Sequence, residues 1–245
     1  MSSIRCRIAI LPALLLLTAL LAGCATTVRR HPDFEARRKE IASVSVMPPQ
    51  VEFVRIVFKG DDEPLREESS AVARRLPGLV AAELRSHGFD VKEAGLYADD
   101  SEDLSEMRFE TTQISRAFAE ASGEMYQQPL MIESDAMKYE RSLGADVNLF
   151  ADRAEVDALV FAKMWGFKKS SGEIAKDAAM TVLIAAATLG SVVSVQPTAG
   201  ATIRIALVDG TTGDVLWANT AGTNGDFEGR GLNTLIAGLF KQFPE

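Results

Sequence analysis

The stretch ATIRIALVDGTTGDVLWANT, residues 201–220, decides the fold. Its first eight residues alternate apolar with mostly polar or small side chains, which is the pattern of a half-buried β-strand. The segment DGTTGD at residues 209–214 is rich in glycine and aspartate, which favour tight turns. Apolar residues resume at residues 215–220, so the stretch predicts a β-hairpin within a larger sheet.

The segments around this hairpin supply further strands and helices. Runs of β-branched and aromatic residues predict strands at residues 42–47, 51–58, 89–93 and 159–167. Apolar residues at helical spacing predict helices at residues 72–84, 114–121, 131–143, 148–155 and 232–240. Pro77 either kinks the first helix or begins its second half, and acidic residues 99–106 indicate an exposed loop. These elements predict an α+β sandwich, with one mixed sheet covered by helices.

Composition excludes several classes of protein. The chain has 245 residues and a formal net charge of −8, which argues against a broad nucleic-acid-binding surface. It has only two cysteines and two histidines. A disulfide framework is therefore excluded, and a zinc or iron–sulfur site held by the protein is not expected.

Catalytic motifs are missing from the sequence, which has no GxSxG elbow, P-loop, HExxH or dinucleotide fingerprint. His31 lies close to the amino terminus, where a tether is predicted, and His87 lies at a predicted helix end, where contact with the helix dipole is more typical than base catalysis. Adjacent carboxylates at residues 61–62, 67–68 and 99–100 are typical of solvated loops. No catalytic residue is therefore assigned.

Two further features of the sequence are candidate binding sites. The acidic turn at residues 209–214 lacks the alternating ligands of an EF-hand, so a hairpin turn is favoured over a calcium site. Trp165 and Trp217 could stack on a sugar, but the apolar strand pattern around each favours packing in the core. No metal is expected.

Residues 1–23 have the layout of an export signal. Arg5 and Arg7 precede an apolar stretch over residues 8–22, shorter than the roughly 20 residues that span a bilayer. It ends in LAGC, residues 21–24, which resembles the lipobox of bacterial lipoproteins; an ordinary secretory signal is the alternative. The lipobox implies cleavage between Gly23 and Cys24, with a diacylglycerol and an N-acyl chain on Cys24. Two or three acyl chains anchor a protein stably.

The residue after Cys24 carries the expected location. Gram-negative lipoproteins kept in the inner membrane typically have aspartate there, whereas this chain has Ala25, so we expect an outer-membrane lipoprotein facing the periplasm. Residues 24–40, rich in arginine and lysine, are predicted to form a flexible lipidated tether. Residues 41–245 are predicted to form one globular domain.

Residues 178–195 contain no charged side chain. Their many small residues favour a helix packed within the domain or between subunits over an insertion that contacts a membrane or lines a pore. Because large apolar patches usually mark contacts, Leu183, Leu189 and Val192 are candidate interface residues.

Four motifs in order along the chain resemble a known group. They are Met47-Pro48-Pro49 after a strand, Gly88-Phe89 after a helix, VDALV at residues 156–160, and VDGTTGDVLWA at residues 208–218. The series resembles periplasmic lipoproteins of the CsgG-like and TolB amino-terminal-like group, which includes curli-secretion channels, PelC-type export lipoproteins and lipoprotein activators of peptidoglycan synthases. The resemblance covers residues 42–242 except 98–143. It implies an anticodon-binding-like sandwich without an active site, which works by oligomerisation or partner contact.

Three functions stay open. The favoured one is a non-enzymatic outer-membrane lipoprotein that serves an envelope complex for export or cell-wall assembly, with envelope proteins or further copies of itself as partners. A CsgG-like export pore or ring is the second, although residues 178–195 lack the strict alternation of a barrel hairpin. The third, an enzyme acting on peptidoglycan or polysaccharide, is disfavoured because nucleophile and histidine patterns are missing.

Overall fold

The computed structural model describes residues 25–92, 102–126, 131–132, 139–188, 196–225 and 227–244. The predicted export signal and Cys24 lie outside these residues. The strands are β1 Ala25–Thr26, β2 Arg29–Arg30, β3 Ser43–Val46, β4 Gln50–Ile56, β5 Glu63–Pro64, β6 Asp90–Lys92, β7 Met131–Ile132, β8 Ala158–Lys169, β9 Ala199–Asp209 and β10 Val215–Asn224. The α-helices are α1 Phe34–Arg37, α2 Arg66–Ser86, α3 Glu102–Met125, α4 Val147–Ala154, α5 Ser171–Ala187 and α6 Arg230–Phe240.

Eight of these strands form one mixed sheet. Its order is β2-β10-β9-β8-β3-β6, and β4 pairs with both β8 and β5. The predicted hairpin forms the antiparallel pair β9–β10, while β3 and β6 lie parallel to their neighbours. The strands β1 and β7 form a separate antiparallel pair.

The strand β8 pairs with β9 along its length, and its other side pairs with two strands in turn. Its first residues pair with β3, and residues from Lys163 onward pair with β4, both in parallel. Pro48-Pro49 lies between β3 and β4, and proline cannot donate a backbone hydrogen bond to a sheet. The two prolines therefore divide one edge of the sheet into two short strands.

Both faces of the sheet carry a hydrophobic core. Helices α2 and α6 pack on the first face, where Leu76, Leu239 and Trp217 are buried. Helices α3 and α4 pack on the second face, where the rings of Phe118 and Phe161 lie 5.7 Å apart. The predicted α+β sandwich, one mixed sheet covered by helices, is confirmed.

The prediction of a flexible tether over residues 24–40 is wrong for residues 25–40, which we call the docked segment. Val28 and Phe34 are 6% and 1% exposed, and the ring of Phe34 lies 6.1 Å from that of Phe243. The strand β2 extends the main sheet, with Arg30 opposite Trp217. The docked segment is therefore part of the domain.

The basic residues of the docked segment have specific partners in the domain. Arg29 is 1% exposed; its Nε donates to the Met125 carbonyl at 3.3 Å, and its guanidinium lies 4.9 Å from the centre of the Tyr126 ring. Arg37 forms ion pairs with Asp209 at 2.7 Å and Asp214 at 2.8 Å. These contacts join residues that are distant in sequence. They hold in place a segment whose basic composition predicts a solvent-exposed chain.

Three other predicted elements need correction. Helix α3 is much longer than residues 114–121 and includes most of the predicted acidic loop, because acidic residues are favoured at a helix amino terminus. The predicted helix over residues 131–143 is wrong where the structure describes it, since β7 occupies residues 131–132 and residues 139–143 are not helical. Helix α2 continues through Pro77, which begins no separate helix.

Candidate functional site

Helix α5 begins directly after the long strand β8. The Ser170 side chain caps it by accepting a hydrogen bond from the Glu173 backbone amide at 3.3 Å. The Glu173 carboxylate is buried and accepts a hydrogen bond from Lys176 at 2.9 Å, while Lys169 pairs with Asp177. The charges of the first two turns thus balance locally, and the rest of α5 has none.

One side of α5 is half-buried and partly polar. Asp177, Thr181, Ile184 and Thr188 recur along this side at helical spacing, and each is half-buried. The Thr181 hydroxyl donates to the Asp177 carbonyl at 2.9 Å, and the Thr188 hydroxyl donates to the Ile184 carbonyl at 2.8 Å. Both hydroxyls are therefore satisfied within the helix itself.

The opposite side of α5 is apolar and faces outward. Met180, Val182 and Leu183 are 53%, 66% and 63% exposed. From residue 178 to the end of the helix, the other exposed residues are alanines, at positions 178, 179, 186 and 187. We call these seven residues the apolar arc. Soluble helices normally bury their apolar side, so α5 has the reverse of the usual arrangement.

The candidate interface residues have different outcomes. Leu183 lies in the apolar arc, whereas Leu189 and Val192 lie outside the described residues. The expected helix was to pack either within the domain or between subunits. Packing within the domain does not hold for residues 178–188, of which none is fully buried, and packing between subunits stays a prediction. Among the residues that the structure covers, no helix is long and apolar enough to cross a membrane.

The histidines and the acidic turn have structural partners. His87 lies at the carboxyl end of α2, with its ring 5.0 Å from that of Phe243. The His31 Nδ1 accepts a hydrogen bond from the Asp33 amide at 3.1 Å. In the described part of the chain, no three His, Cys, Asp or Glu residues are placed to hold a metal ion.

The turn at residues 209–214 binds Arg37. Asp209 also accepts hydrogen bonds from the Thr211 and Thr212 amides, at 2.8 and 3.0 Å. Burial raises the pKa of Asp214, but hydrogen bonds from Arg37 and Thr212 outweigh it and leave that pKa below its usual value. The carboxylates of this turn therefore secure the docked segment.

The two tryptophans differ in how deeply they are buried. Trp217 is 1% exposed, so its predicted place in the core is confirmed. Trp165 is half-buried and belongs to neither core, so the same prediction is wrong for Trp165. Its ring lies 4.6 Å from the guanidinium carbon of Arg204, beside an open depression in the sheet. The sequence analysis did not identify Arg204 or Tyr126. A signal was present in β8, where Lys163, Trp165 and Phe167 alternate, because this spacing places two aromatic side chains and a cation on the same face of the strand.

Comparison with known proteins yields structural neighbours only. No protein-family profile matches the chain, and no curated protein does. A PelC dodecamer from Paraburkholderia phytofirmans is 11% identical with a TM-score of 0.33, over 81% of this chain and 84% of that chain. Lipoprotein GNA1162 from Neisseria meningitidis is 14% identical with a TM-score of 0.35, over 82% and 95%. The LpoB C-terminal domain from Salmonella enterica is 8% identical with a TM-score of 0.25, over 79% and 95%.

These neighbours match the group that the sequence motifs resemble, since PelC-type lipoproteins are one of its branches. TM-scores of 0.25 to 0.35 give no residue-by-residue correspondence. The function therefore rests on this chain's own residues.

Proposed function

We propose that this protein is a non-enzymatic, lipid-anchored component of the bacterial envelope that works by self-association through the apolar arc of α5. The observation that carries the proposal is the reversed arrangement of α5, with threonines toward the domain and Met180, Val182 and Leu183 exposed. Exposed apolar surface of this kind is costly in water and usually marks a contact.

A second copy of the chain fits the apolar arc better than a charged partner. The whole chain carries a net charge of −8, so most of its surfaces repel their own copies. The apolar arc carries no charge, so two copies meet there without that repulsion. Four of its seven residues are alanines, whose small side chains allow two helix backbones to approach closely.

The anchor in this proposal is acylated Cys24, at the outer membrane. Because residues 25–40 are docked on the sheet, little free chain separates Cys24 from the domain. The domain would therefore lie close to the membrane surface, and acylated copies would be concentrated in two dimensions. Concentration of this kind favours self-association.

Several observations support a role without catalysis. The histidines pack against aromatic rings or a local turn, and the acidic turn is occupied by Arg37. The chain would then serve an export or cell-wall complex through its contacts.

The test places a photoreactive amino acid at position 182 of the full chain, in native membranes. Illumination is expected to give a product of two or more copies of the chain, because Val182 lies at the centre of the apolar arc. The matched control carries the same group at position 74, where Arg74 is exposed on α2, far along the chain from α5.

The control is expected to stay uncrosslinked. Crosslinks from position 182 only to another protein would contradict self-association. Equal crosslinking from both positions would show a random collision rather than an interface.

A further inference from the structure

Among the residues that the structure describes, part of the second sheet face extends beyond the helices that cover it. Helix α3 ends at Met125, and the next residue, Tyr126, lies over Arg204 of β9. Beyond this line the strands bring Trp165, Thr202 and Gly222 into one row across β8, β9 and β10. The next row consists of Phe167, Gly200 and Asn224.

These two rows surround a depression of about 380 Å³, and every residue that lines it belongs to the three strands. This volume falls within the roughly 300–1,000 Å³ of small-molecule sites.

Two glycines keep the floor of the depression free of side chains. A Cβ atom on Gly200 would lie 3.4 Å from the Phe167 ring and 3.4 Å from Asn224 Oδ1. A Cβ atom on Gly222 would lie 3.6 Å from the Thr202 hydroxyl. Because both positions are glycine, an aromatic ring, an amide and a hydroxyl border an open floor.

Two cations form the next row of the same sheet face, beyond Trp165 and Thr202, and do not themselves line the depression. Lys163 and Arg204 are opposite each other in the register of β8 and β9, and both are half-buried. Neither forms an ion pair with an acidic side chain among the residues described here. Glu52 lies opposite Trp165 on β4, where it is exposed and pairs with neither cation. Like charges opposite each other destabilise a sheet, and burial lowers the pKa of Arg204.

Arg204 is held by two aromatic rings. Its guanidinium carbon lies 4.6 Å from the centre of the Trp165 ring and 5.2 Å from that of Tyr126. Its Nε is buried and has no hydrogen-bond partner in the described structure. Because Nε is buried, the end of the guanidinium that carries the two Nη atoms is the part available for a carboxylate, which it can bind with two parallel hydrogen bonds.

We propose that this depression binds an acidic saccharide. Trp165 would pack against the C–H face of a pyranose ring, and Thr202 and Asn224 would form hydrogen bonds with its hydroxyls. Arg204 and Lys163 would bind the carboxylate. The half-buried Trp165 ring and the polar groups around it favour a sugar over an acidic peptide, and the open, strand-lined shape lets a longer glycan continue past the site.

The test titrates trigalacturonic acid into the full chain in mild detergent and follows tryptophan fluorescence. The chain has two tryptophans, and Trp217 is 1% exposed, so a change reports on Trp165. The signal is expected to saturate. Maltotriose, which has three neutral pyranose rings, should bind at least about tenfold more weakly, because it lacks the charge-assisted hydrogen bonds.

Variants measured by calorimetry locate the site. Arg204→Gln and Lys163→Gln should each weaken binding about tenfold or more, and Arg204→Lys should fall between Arg204→Gln and the wild type. Trp165→Phe should lose the fluorescence change. Arg74→Gln, an exposed arginine on α2, is the matched control and should bind normally.

Several results would overturn the proposal. These are the lack of saturable binding, equal affinity for maltotriose, full displacement by equimolar inorganic phosphate, or the same affinity in Arg204→Gln and Arg74→Gln. Circular dichroism checks that each variant folds. If Arg204→Gln does not fold, Lys163→Gln becomes the decisive variant. Unchanged affinity of Lys163→Gln for trigalacturonic acid would then refute the site.

Discussion

Replacing Phe34 by alanine tests whether the docked segment belongs to the folded domain. Phe34 is 1% exposed and packs edge-on against Phe243, with 6.1 Å between the ring centres. Truncating a buried phenylalanine costs about 3–5 kcal/mol through lost burial and the cavity that remains. For a domain of roughly 200 residues, each kcal/mol lowers the Tm by about 2–4 °C, so a drop of roughly 6–20 °C is expected.

Urea unfolding of the full chain in mild detergent, followed by tryptophan fluorescence, measures the free energy of unfolding. Phe109→Ala is the matched control, since Phe109 is 64% exposed on α3 and its loss should change stability by less than about 0.5 kcal/mol. If residues 25–40 were a tether, Phe34→Ala would behave like this control. Equal effects of the two substitutions would therefore refute the docked segment.

Two further predictions concern the anchor and the response to acid. Cys24→Ala should abolish incorporation of labelled palmitate and release the protein from membranes, whereas Cys6→Ala, within the signal, should do neither; labelling that survives Cys24→Ala would refute the lipobox. Burial raises the pKa of Asp157, but hydrogen bonds from Ser43 and Ala42 outweigh it and leave that pKa lowered. Asp157→Asn should therefore be less stable than the wild type at pH 7, and urea titrations should show this difference closing below about pH 4, as the wild-type carboxylate becomes protonated. A difference independent of pH would contradict this assignment.

The sheet could be predicted from sequence because its signals are local. Alternation along residues 201–208 and the turn at 209–214 define the β9–β10 hairpin without reference to any distant residue. The strand β8 was predicted for the same reason. Helix α6 was predicted because its apolar residues share one side.

The docked segment could not be predicted because its stabilising contacts are distant in sequence. The buried Arg29 contacts Tyr126 and the Met125 carbonyl, about a hundred residues away in sequence. Arg37 depends in the same way on the turn at residues 209–214. Composition reports only that these residues are basic, and basic residues are usually solvated.

The candidate sites were predicted in part. The uncharged run at residues 178–195 identified an unusual segment, but composition cannot tell which side of a helix faces the domain. Likewise, alternation placed Trp165 on one face of β8, but only the structure shows that α3 ends before covering it. In both cases the missing information is the position of a neighbouring element.

The mass of the full chain in mild detergent, measured by light scattering for the wild type and Leu183→Asp, tests the central claim most directly. The account predicts an oligomer for the wild type and a monomer for the variant, because a buried unpaired aspartate opposes association. Thermal stability should stay nearly unchanged, since Leu183 is 63% exposed within the single chain. A monomeric wild type, or the same oligomer in both proteins, would contradict the assignment of the apolar arc as a self-association surface.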